Sequence, residues 1–231
     1  MNTDSRNTRR VRAFVRATHF PQALAMVLLM TVATAVCGGS WWSVALVLCA
    51  SAAGQATIGW TNDVHDAEAD SAAARVNKPL VRGDVGRESL RVAILVSASL
   101  TIPLSFLAAG WVGGAAHIAA VGSALVYNFY LARTMWSWVP YAVSFALMPV
   151  FIAQAIGTLT WPTLPLVSLS VVVGVAAHLL NAIPDIAIDR AAGWGGIAVT
   201  LGRRWALVAV VLLAALAALS AGAVVGDLAG G

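Results

Sequence analysis

Charge is the scarcest property of this sequence, and its scarcity excludes most kinds of soluble protein. Only 10% of the 231 residues are charged, whereas 60% are hydrophobic and the mean hydropathy is +0.83. Apolar runs of roughly 16 to 20 residues recur along the chain, as they do in helical membrane proteins. The alternation of apolar and polar residues expected of transmembrane strands is absent. The sequence therefore predicts an all-α, polytopic bundle of membrane helices.

Cysteine is almost as rare, since Cys37 and Cys49 are the only two. Cys37 is expected near one membrane surface and Cys49 inside a span. We therefore predict no disulfide and interpret both residues as small buried hydrophobes. A cleavable signal is not expected either, because the basic N-terminal segment runs into a span without a small-residue cleavage site.

The apolar runs predict seven membrane-spanning helices. Their predicted bounds are Pro21–Val36, Val44–Gly59, Arg91–Ala109, Ala115–Leu131, Val139–Gly157, Leu164–Asn181 and Trp205–Val225. Glycine pairs and tryptophans lie near the span ends, where turns and aromatic belts occur. Residues 1–18 form a basic N-terminal segment that ends in an interfacial helix. Residues 19–231 form a single transmembrane domain.

No basic residue falls in the loops on one side of this predicted membrane. With the N-terminus in the cytoplasm, the inside segments are 1–20, 60–91, 132–138 and 182–204. They hold all 14 Lys and Arg residues. The positive-inside rule therefore predicts an integral protein of the cell (inner or plasma) membrane with a cytoplasmic N-terminus. The same distribution argues against a nucleic-acid partner, because the basic residues do not line one soluble face.

Four of the ten acidic residues are concentrated in the stretch 62–70, Asn-Asp-Val-His-Asp-Ala-Glu-Ala-Asp, at the end of the second predicted span. Asn62, Asp66 and Asp70 are four residues apart, and Asp63 precedes Asp66 by three. This spacing places the carboxylates on one helix face, where they repel one another unless a cation lies among them. Charges at a membrane boundary are costly, so the stretch is a candidate functional site on the cytoplasmic side.

A second stretch, 181–189, repeats the pattern at the end of the sixth predicted span. Asn181, Asp185 and Asp189 have the same spacing, while Ala182 stands where the first stretch has Asp63. Because four spans separate the two stretches, they leave the membrane on the same side and are expected to face each other across a cavity. His178, one turn before Asn181, is expected to face it too. A proline at 184 should kink or end this helix.

Two facing acidic clusters suit a hard divalent cation such as Mg²⁺, which takes oxygen ligands and keeps water and phosphate oxygens as further ligands. Arg75, Lys78 and Arg82 follow the first cluster and are predicted to neutralise phosphate oxygens. Metal and cations would stabilise a leaving diphosphate while an apolar chamber accepts the hydrophobic remainder. This describes the ionisation of a prenyl diphosphate.

At this point the sequence resembles a known family. The pattern Asn62-Asp63-x-x-Asp66-x-x-x-Asp70 resembles the first signature of the UbiA superfamily of intramembrane prenyltransferases. Residues 75–83 are similar to the basic, proline-containing segment that follows it. The second signature is matched by Asp185-x-x-x-Asp189-Arg190-x-x-Gly193 followed by Thr-Leu-Gly at 200–202. Tyr127-Asn128 with Arg133-Thr134 resembles the end of the family's fourth helix.

The resemblance implies a helical bundle with a central cavity and a Mg²⁺-dependent transfer of an isoprenoid chain from a prenyl diphosphate to a lipophilic or aromatic acceptor. It implies that the metal is held by the five aspartates, Asp63, Asp66, Asp70, Asp185 and Asp189. The implied substrate-binding residues are Asn62, Arg75, Lys78, Tyr127 and Arg133. Asn128, His178 and Asn181 are predicted to bind substrate as well. Family members usually have nine spans, whereas seven are counted here, and many carry an acid where Ala182 stands.

Other interpretations of the same features are open at this stage. A terpene cyclase of the same superfamily would ionise the donor without an external acceptor. A non-catalytic or transport protein of shortened family fold would use the acids as an ion path. Among the remaining polar residues, we expect His65 and Glu68 to be solvated and His117 to be a packing histidine. Gln55 either lines the cavity or bonds between helices.

Overall fold

The computed structural model of this protein describes residues 3–72, 75–76, 78–157 and 161–230, and these residues contain no β-strand. The elements in chain order are α1 (Thr3–Ala17), α2 (Phe20–Val36), α3 (Trp41–Ala72), α4 (Arg87–Val126), a π-helix (Tyr127–Leu131), α5 (Val139–Ala155), α6 (Leu164–Ala182), a 3₁₀ turn (Ile183–Asp185), α7 (Ile186–Ala191) and α8 (Ile197–Gly230). The predicted all-α bundle is confirmed.

Seven apolar helical segments account for the predicted spans. Four described helical stretches are long and apolar enough to cross a membrane, and the bent pair formed by α1 and α2 makes up to five. The 45-residue stretch Arg87–Leu131 is broken in its middle and supplies two segments, and Val139–Ala155 is a shorter apolar helix. Each predicted span thus corresponds to a helical segment.

The break in α4 makes it a helical hairpin. Ala109 and Gly110 leave the helical region, and Gly110 has a φ of 61°, which a glycine adopts without steric cost. The two halves then pack closely, since a Cβ at Gly114 would lie 2.5 Å from the side chain of Phe106. The glycines that the sequence indicates as a turn at 110–114 are therefore required by this reversal of the chain.

The helices pack side by side in the order α2, α3, α4, α5, α6 and α8, with the cavity between them. Of the four long stretches, α3 is the most buried and α8 the most exposed. Apolar side chains on α8 such as Trp205, Leu212 and Leu219 are more than half exposed, as expected for a surface that faces lipid. The two cysteines are free, as predicted, but both are exposed, so the prediction that they are buried is wrong.

The N-terminal helix α1 turns by 71° into α2 and lies against α3. Its buried face, which includes Ala13, Ala17 and Phe14, packs on apolar residues of α3 and of the segment after it. The indole Nε1 of Trp60 donates a hydrogen bond to the carbonyl oxygen of Phe14 at 2.9 Å. At the bend, His19 has left-handed backbone angles (φ 55°), which places its side chain over the end of the cavity.

Candidate functional site

The two acid-bearing stretches meet at one end of a cavity of about 690 Å³. Its polar end is lined by residues of both stretches and of the loops beside them: Asn62, Asp66, Asn181, Asp185, Asp189, Arg75, Lys78 and Arg133. The helix α6 ends at Ala182, two residues before Pro184, and the short α7 carries Asp189 onward. The predicted convergence of the two stretches on one cavity is therefore present.

The acids of the first stretch share one side of α3 but differ in their surroundings. Asp66 lines the cavity, and the Nδ2 of Asn62 donates to its Oδ2 at 3.0 Å. Asp63 and Asp70, each 2% exposed, do not line the cavity. They are seven residues apart, which is nearly two full helical turns, so they lie on the same side of α3 as Asp66, where Lys78 and Arg75 pair with them. Asn62, Asp66 and Asp70 all lie on α3 at the predicted four-residue spacing, but only Asn62 and Asp66 line the cavity.

Lys78 lies between the two buried aspartates. Its Nζ is 2.7 Å from Oδ1 of Asp63 and 3.6 Å from Oδ2 of Asp70. The Nε2 of His19 lies 3.1 Å from the same ammonium, which only donates, so the imidazole nitrogen accepts. His19 is a site residue that the sequence did not reveal, because only the turn between α1 and α2 brings it there.

Two arginines connect the cavity-lining acids to the rest of the site. Arg75 reaches Asp189 with Nη2 at 3.4 Å and Asp70 with Nε at 3.6 Å, so it links the two acidic stretches. Arg133 places Nη2 3.0 Å from Oδ1 of Asp66, and its guanidinium stacks on the ring of Trp194 at 3.9 Å. Trp194 was not anticipated from the sequence.

Arg82 does not join this group. It pairs with Asp84 at 3.0 Å, both side chains are exposed, and Arg82 does not line the cavity. The prediction that Arg82 neutralises phosphate oxygens is therefore not supported by its position, because the turn after Pro79 carries the side chain outward.

The π-helix positions two further predicted residues. Tyr127 lines the cavity, with its ring edge-on to Tyr141 at 5.3 Å. Asn128 is buried and donates from Nδ2 to the carbonyl oxygen of Ile58 at 2.9 Å, while its Oδ1 lies 3.5 Å from Nδ2 of Asn62. A π-turn inside a helix often marks a functional site. Here it ties the amide of Asn62 to a fixed position beside Asp66.

His178 lies behind Tyr127 rather than on the main cavity. Its Nε2 is 3.0 Å from Oγ of Ser137, and its ring packs edge-on against Tyr127 at 5.7 Å. It lines a smaller adjoining cavity of about 110 Å³. Asn181 lines both cavities. The structure thus places His178 where it supports Tyr127.

The residues expected to lie outside the site are placed as follows. Glu68 is exposed, as predicted. His65 packs edge-on against Phe129 and has Nδ1 3.2 Å from Oδ1 of Asp66, so it is only partly solvated. His117 is a buried packing residue, stacked on Phe151 at 4.5 Å, and it also lines the cavity, as does Gln55.

The residues present suit a divalent cation together with an anion. Among the described residues no three His, Cys, Asp or Glu side chains converge closely enough to enclose a metal by themselves. Two buried atoms nevertheless lack a hydrogen-bond partner, Oδ2 of Asp63 and Nε of Arg75. One is an acceptor that suits a cation, and the other is a donor that suits an anion. An all-oxygen set of acids is the chemistry that Mg²⁺ prefers.

Comparison with known proteins shows which family the chain belongs to. The model of the UbiA prenyltransferase family matches residues 19–230. The chain belongs to the UbiA prenyltransferase family. It is accordingly an integral membrane protein, and the resemblance of its two acidic signatures to those of UbiA proteins is confirmed at the level of the family.

Solved UbiA homologues share the fold. One from Archaeoglobus fulgidus bound to GPP and Mg²⁺ has a TM-score of 0.75 and 18% identity, over 90% of this chain and 76% of that one. The same homologue bound to DMAPP and Mg²⁺ gives 0.73 and 17%, over 90% and 75%. An apo UbiA homologue from Aeropyrum pernix K1 gives 0.68 and 17%, over 87% and 77%. No curated protein matches the chain. At such identities the likeness shows the fold alone.

Proposed function

We propose that this UbiA protein transfers an isoprenoid chain from a prenyl diphosphate to a lipophilic or aromatic acceptor in a Mg²⁺-dependent reaction. The observation that carries the proposal is the polar end of the cavity, where acids of two helix ends and three cations surround the mouth of an apolar chamber. The proposal is supported by family membership and by the UbiA homologue from Archaeoglobus fulgidus that binds GPP and Mg²⁺.

The metal would be held by the acids that line the cavity, Asp66, Asp185 and Asp189, with Asn62 beside them. Among these, Asp185 makes no ion pair with any described residue, so its carboxylate can bind a metal without breaking an ion pair. When bound, Mg²⁺ neutralises charge that develops on the leaving diphosphate. Asp63 and Asp70, which the sequence suggested as further ligands, hold Lys78 and Arg75 in place.

Arg75, Lys78 and Arg133 are proposed to bind the diphosphate. Each of these three side chains is paired with an acid of the site. The five acids of the two stretches carry two more negative charges than these three cations balance. A diphosphate oxygen would compete for these donors once a metal has neutralised the acids. The Nε of Arg75, which makes no hydrogen bond, gives such an oxygen a buried donor.

The reaction breaks the bond between C1 of the prenyl chain and the ester oxygen of the diphosphate, and the electron pair leaves with the diphosphate. The acceptor nucleophile forms the new bond to C1 and loses its proton. Tyr127 offers a ring that lines the cavity beside Asn128 and attracts a developing allylic cation. The apolar remainder of the cavity keeps water from the cation. Because the basic residues all lie on the side of this site, we place it on the cytoplasmic face.

The test measures diphosphate release by the full chain in detergent or nanodiscs, with prenyl diphosphates, Mg²⁺ and a panel of aromatic and isoprenoid acceptors. We expect release that requires Mg²⁺, stops with a chelator and is lost in Asp66→Asn. Glu68→Gln, an exposed carboxylate on the same helix, is the matched control and should retain activity. Absence of Mg²⁺-dependent release with every donor and acceptor would count against the proposal. A cyclic product formed without an acceptor would indicate a cyclase instead.

A further inference from the structure

The cavity extends well beyond the acidic site and ends on polar groups. Gln55 precedes Asp66 by eleven residues on α3, which corresponds to about 16 Å along the helix, and both line the cavity. Apolar residues such as Met30 and Phe151 surround this deep end. His117, which is only 5% exposed, also lines the cavity and lies against Gly54, the chain neighbour of Gln55. Burying a histidine and a carboxamide at this depth in a membrane costs free energy, so both residues are candidates for a functional role.

The hydrogen bonds of His117 fix which of its nitrogens carries the proton. The Oγ of Ser105 is 2.5 Å from the carbonyl oxygen of Thr101 and 2.7 Å from Nδ1 of His117. A carbonyl only accepts, so the hydroxyl proton of Ser105 points to Thr101 and Nδ1 must carry the proton it donates to Oγ. The ring is neutral, since a charge buried without a counter-ion is strongly disfavoured. Nε2 is then an acceptor with a free lone pair.

That nitrogen has no hydrogen-bond partner among the described residues. The Cε1–Nε2 edge lies close to α3 at Gly54, where an added Cβ would come within 3.4 Å of Nε2, so the absence of a side chain there leaves room beside this nitrogen. The ring is stacked on Phe151 with an interplanar angle of 18° and cannot turn without breaking that contact. The deep end of the cavity, which is otherwise lined by apolar side chains, therefore presents one fixed acceptor and the amide of Gln55.

We propose that His117 and Gln55 form a polar floor that limits the length of the isoprenoid donor, an inference that rests on the proposed function. A donor that ends above the floor leaves water on these two groups, which together offer enough polar partners to hold it. A donor long enough to reach the floor displaces that water and leaves the two groups unpaired, which is unfavourable. The floor thus discriminates by polarity rather than by steric closure.

The test measures the affinity of the full chain for unreactive thiolodiphosphate analogues from dimethylallyl to geranylgeranyl, by calorimetry in detergent with Mg²⁺. For the unmodified protein we expect affinity to rise with chain length and to fall at the first analogue that reaches the floor. In His117→Leu and Gln55→Leu the fall should move to a longer analogue. The affinity ratio of the longest to the shortest analogue should rise about tenfold in each variant. The reason is that a long analogue would then leave one fewer buried polar group without a hydrogen bond.

Two further variants separate polarity from size. His117→Gln keeps a polar group at the floor and should keep the original profile. Met148→Leu changes only an apolar side chain of the cavity wall and should leave the ratio unchanged. The inference would be overturned if the affinity ratio of the longest to the shortest analogue did not change in His117→Leu and Gln55→Leu. It would also be overturned if Met148→Leu raised this ratio as much as they do. Either result would leave the proposed function intact. Absence of binding by every analogue would overturn both.

Discussion

At the level of single residues, Asp63 and Lys78 form the most buried ion pair in the described part of the chain. Their side chains are 1% and 15% exposed, and the shortest contact is 2.7 Å. One oxygen of Asp63 is matched by the ammonium, whereas the other has no hydrogen-bond partner. Removing one member of such a pair strands a charge in a medium that cannot solvate it.

We therefore expect Lys78→Met to destabilise the ligand-free protein by about 3 kcal/mol, because Asp63 would be left without its cation. The measurement is the free energy of unfolding in detergent. Arg82→Met, which breaks the exposed pair with Asp84, is the matched control and should cost less than about 1 kcal/mol. The double change Asp63→Asn with Lys78→Met should recover most of the loss. Equal losses of unfolding free energy in Lys78→Met and Arg82→Met would show that burial of the pair is unimportant.

The two acidic stretches should contribute unequally to turnover. Asp66 lines the cavity, holds Arg133 and receives a bond from Asn62, so Asp66→Ala should lower Mg²⁺-dependent diphosphate release about 10³-fold or more. Asp185 stands one turn before Asp189 and shares its role, so Asp189→Ala should leave a measurable remnant, about 10- to 100-fold below the original rate. Equal tolerance of both changes would remove the catalytic interpretation.

At the level of elements, the junction between α3 and the α1–α2 bend depends on Gly59. A Cβ there would lie 2.4 Å from the carbonyl oxygen of Thr18, so no side chain fits without moving the bend. His19 follows directly and contacts Lys78. The position of the bend thus governs the position of a site residue.

Gly59→Ala should lower stability by about 1–3 kcal/mol through overpacking and should also reduce donor affinity, since the bend would carry His19 away from Lys78. Thermal unfolding and calorimetric titration measure the two effects. Gly122→Ala on α4, where a Cβ meets nothing within 4 Å, is the control and should be neutral or slightly stabilising. A Gly59→Ala protein as stable as the control would show that the bend is not held by this contact.

The extent of α3 illustrates how pairing of charges alters an element. The apolar run predicts a membrane span that ends near Gly59, and the spacing of the acids after it predicts that they lie on a helix. The helix accordingly continues to Ala72, with Asp63, Asp66 and Asp70 all on it. Paired with Lys78, Arg75 and Arg133, these carboxylates cost much less than they would alone, so the helix extends past the apolar run and delivers them to the cavity.

At the level of the whole molecule, the distribution of basic residues predicts an orientation that labelling can test. Cys37 is exposed at the end of α2, on the side predicted to be outside, whereas Arg82 lies on the predicted cytoplasmic side. A membrane-impermeant maleimide should label Cys37 in intact cells, because the thiol is accessible to water. Cys49, within the span of α3, should not react.

The control uses a Cys37→Ser background into which Arg82→Cys is introduced. This protein should be labelled only after the cells are permeabilised. Labelling of the introduced thiol in intact cells, together with no labelling of Cys37 in the unmodified protein, would reverse the predicted orientation and place the site on the outer face.

The fold class, the seven apolar segments and the two acidic stretches could be predicted from local patterns, namely the length of apolar runs and the spacing of residues on a helix. The sequence also predicted correctly that the stretches meet, since both end spans on the same side. Which acids face the cavity was decided by the tertiary structure, through the rotation of α3 and the pairing of Asp63 with Lys78. His19, Trp194 and the polar floor at His117 were likewise decided there, because each depends on contacts between elements far apart in the chain.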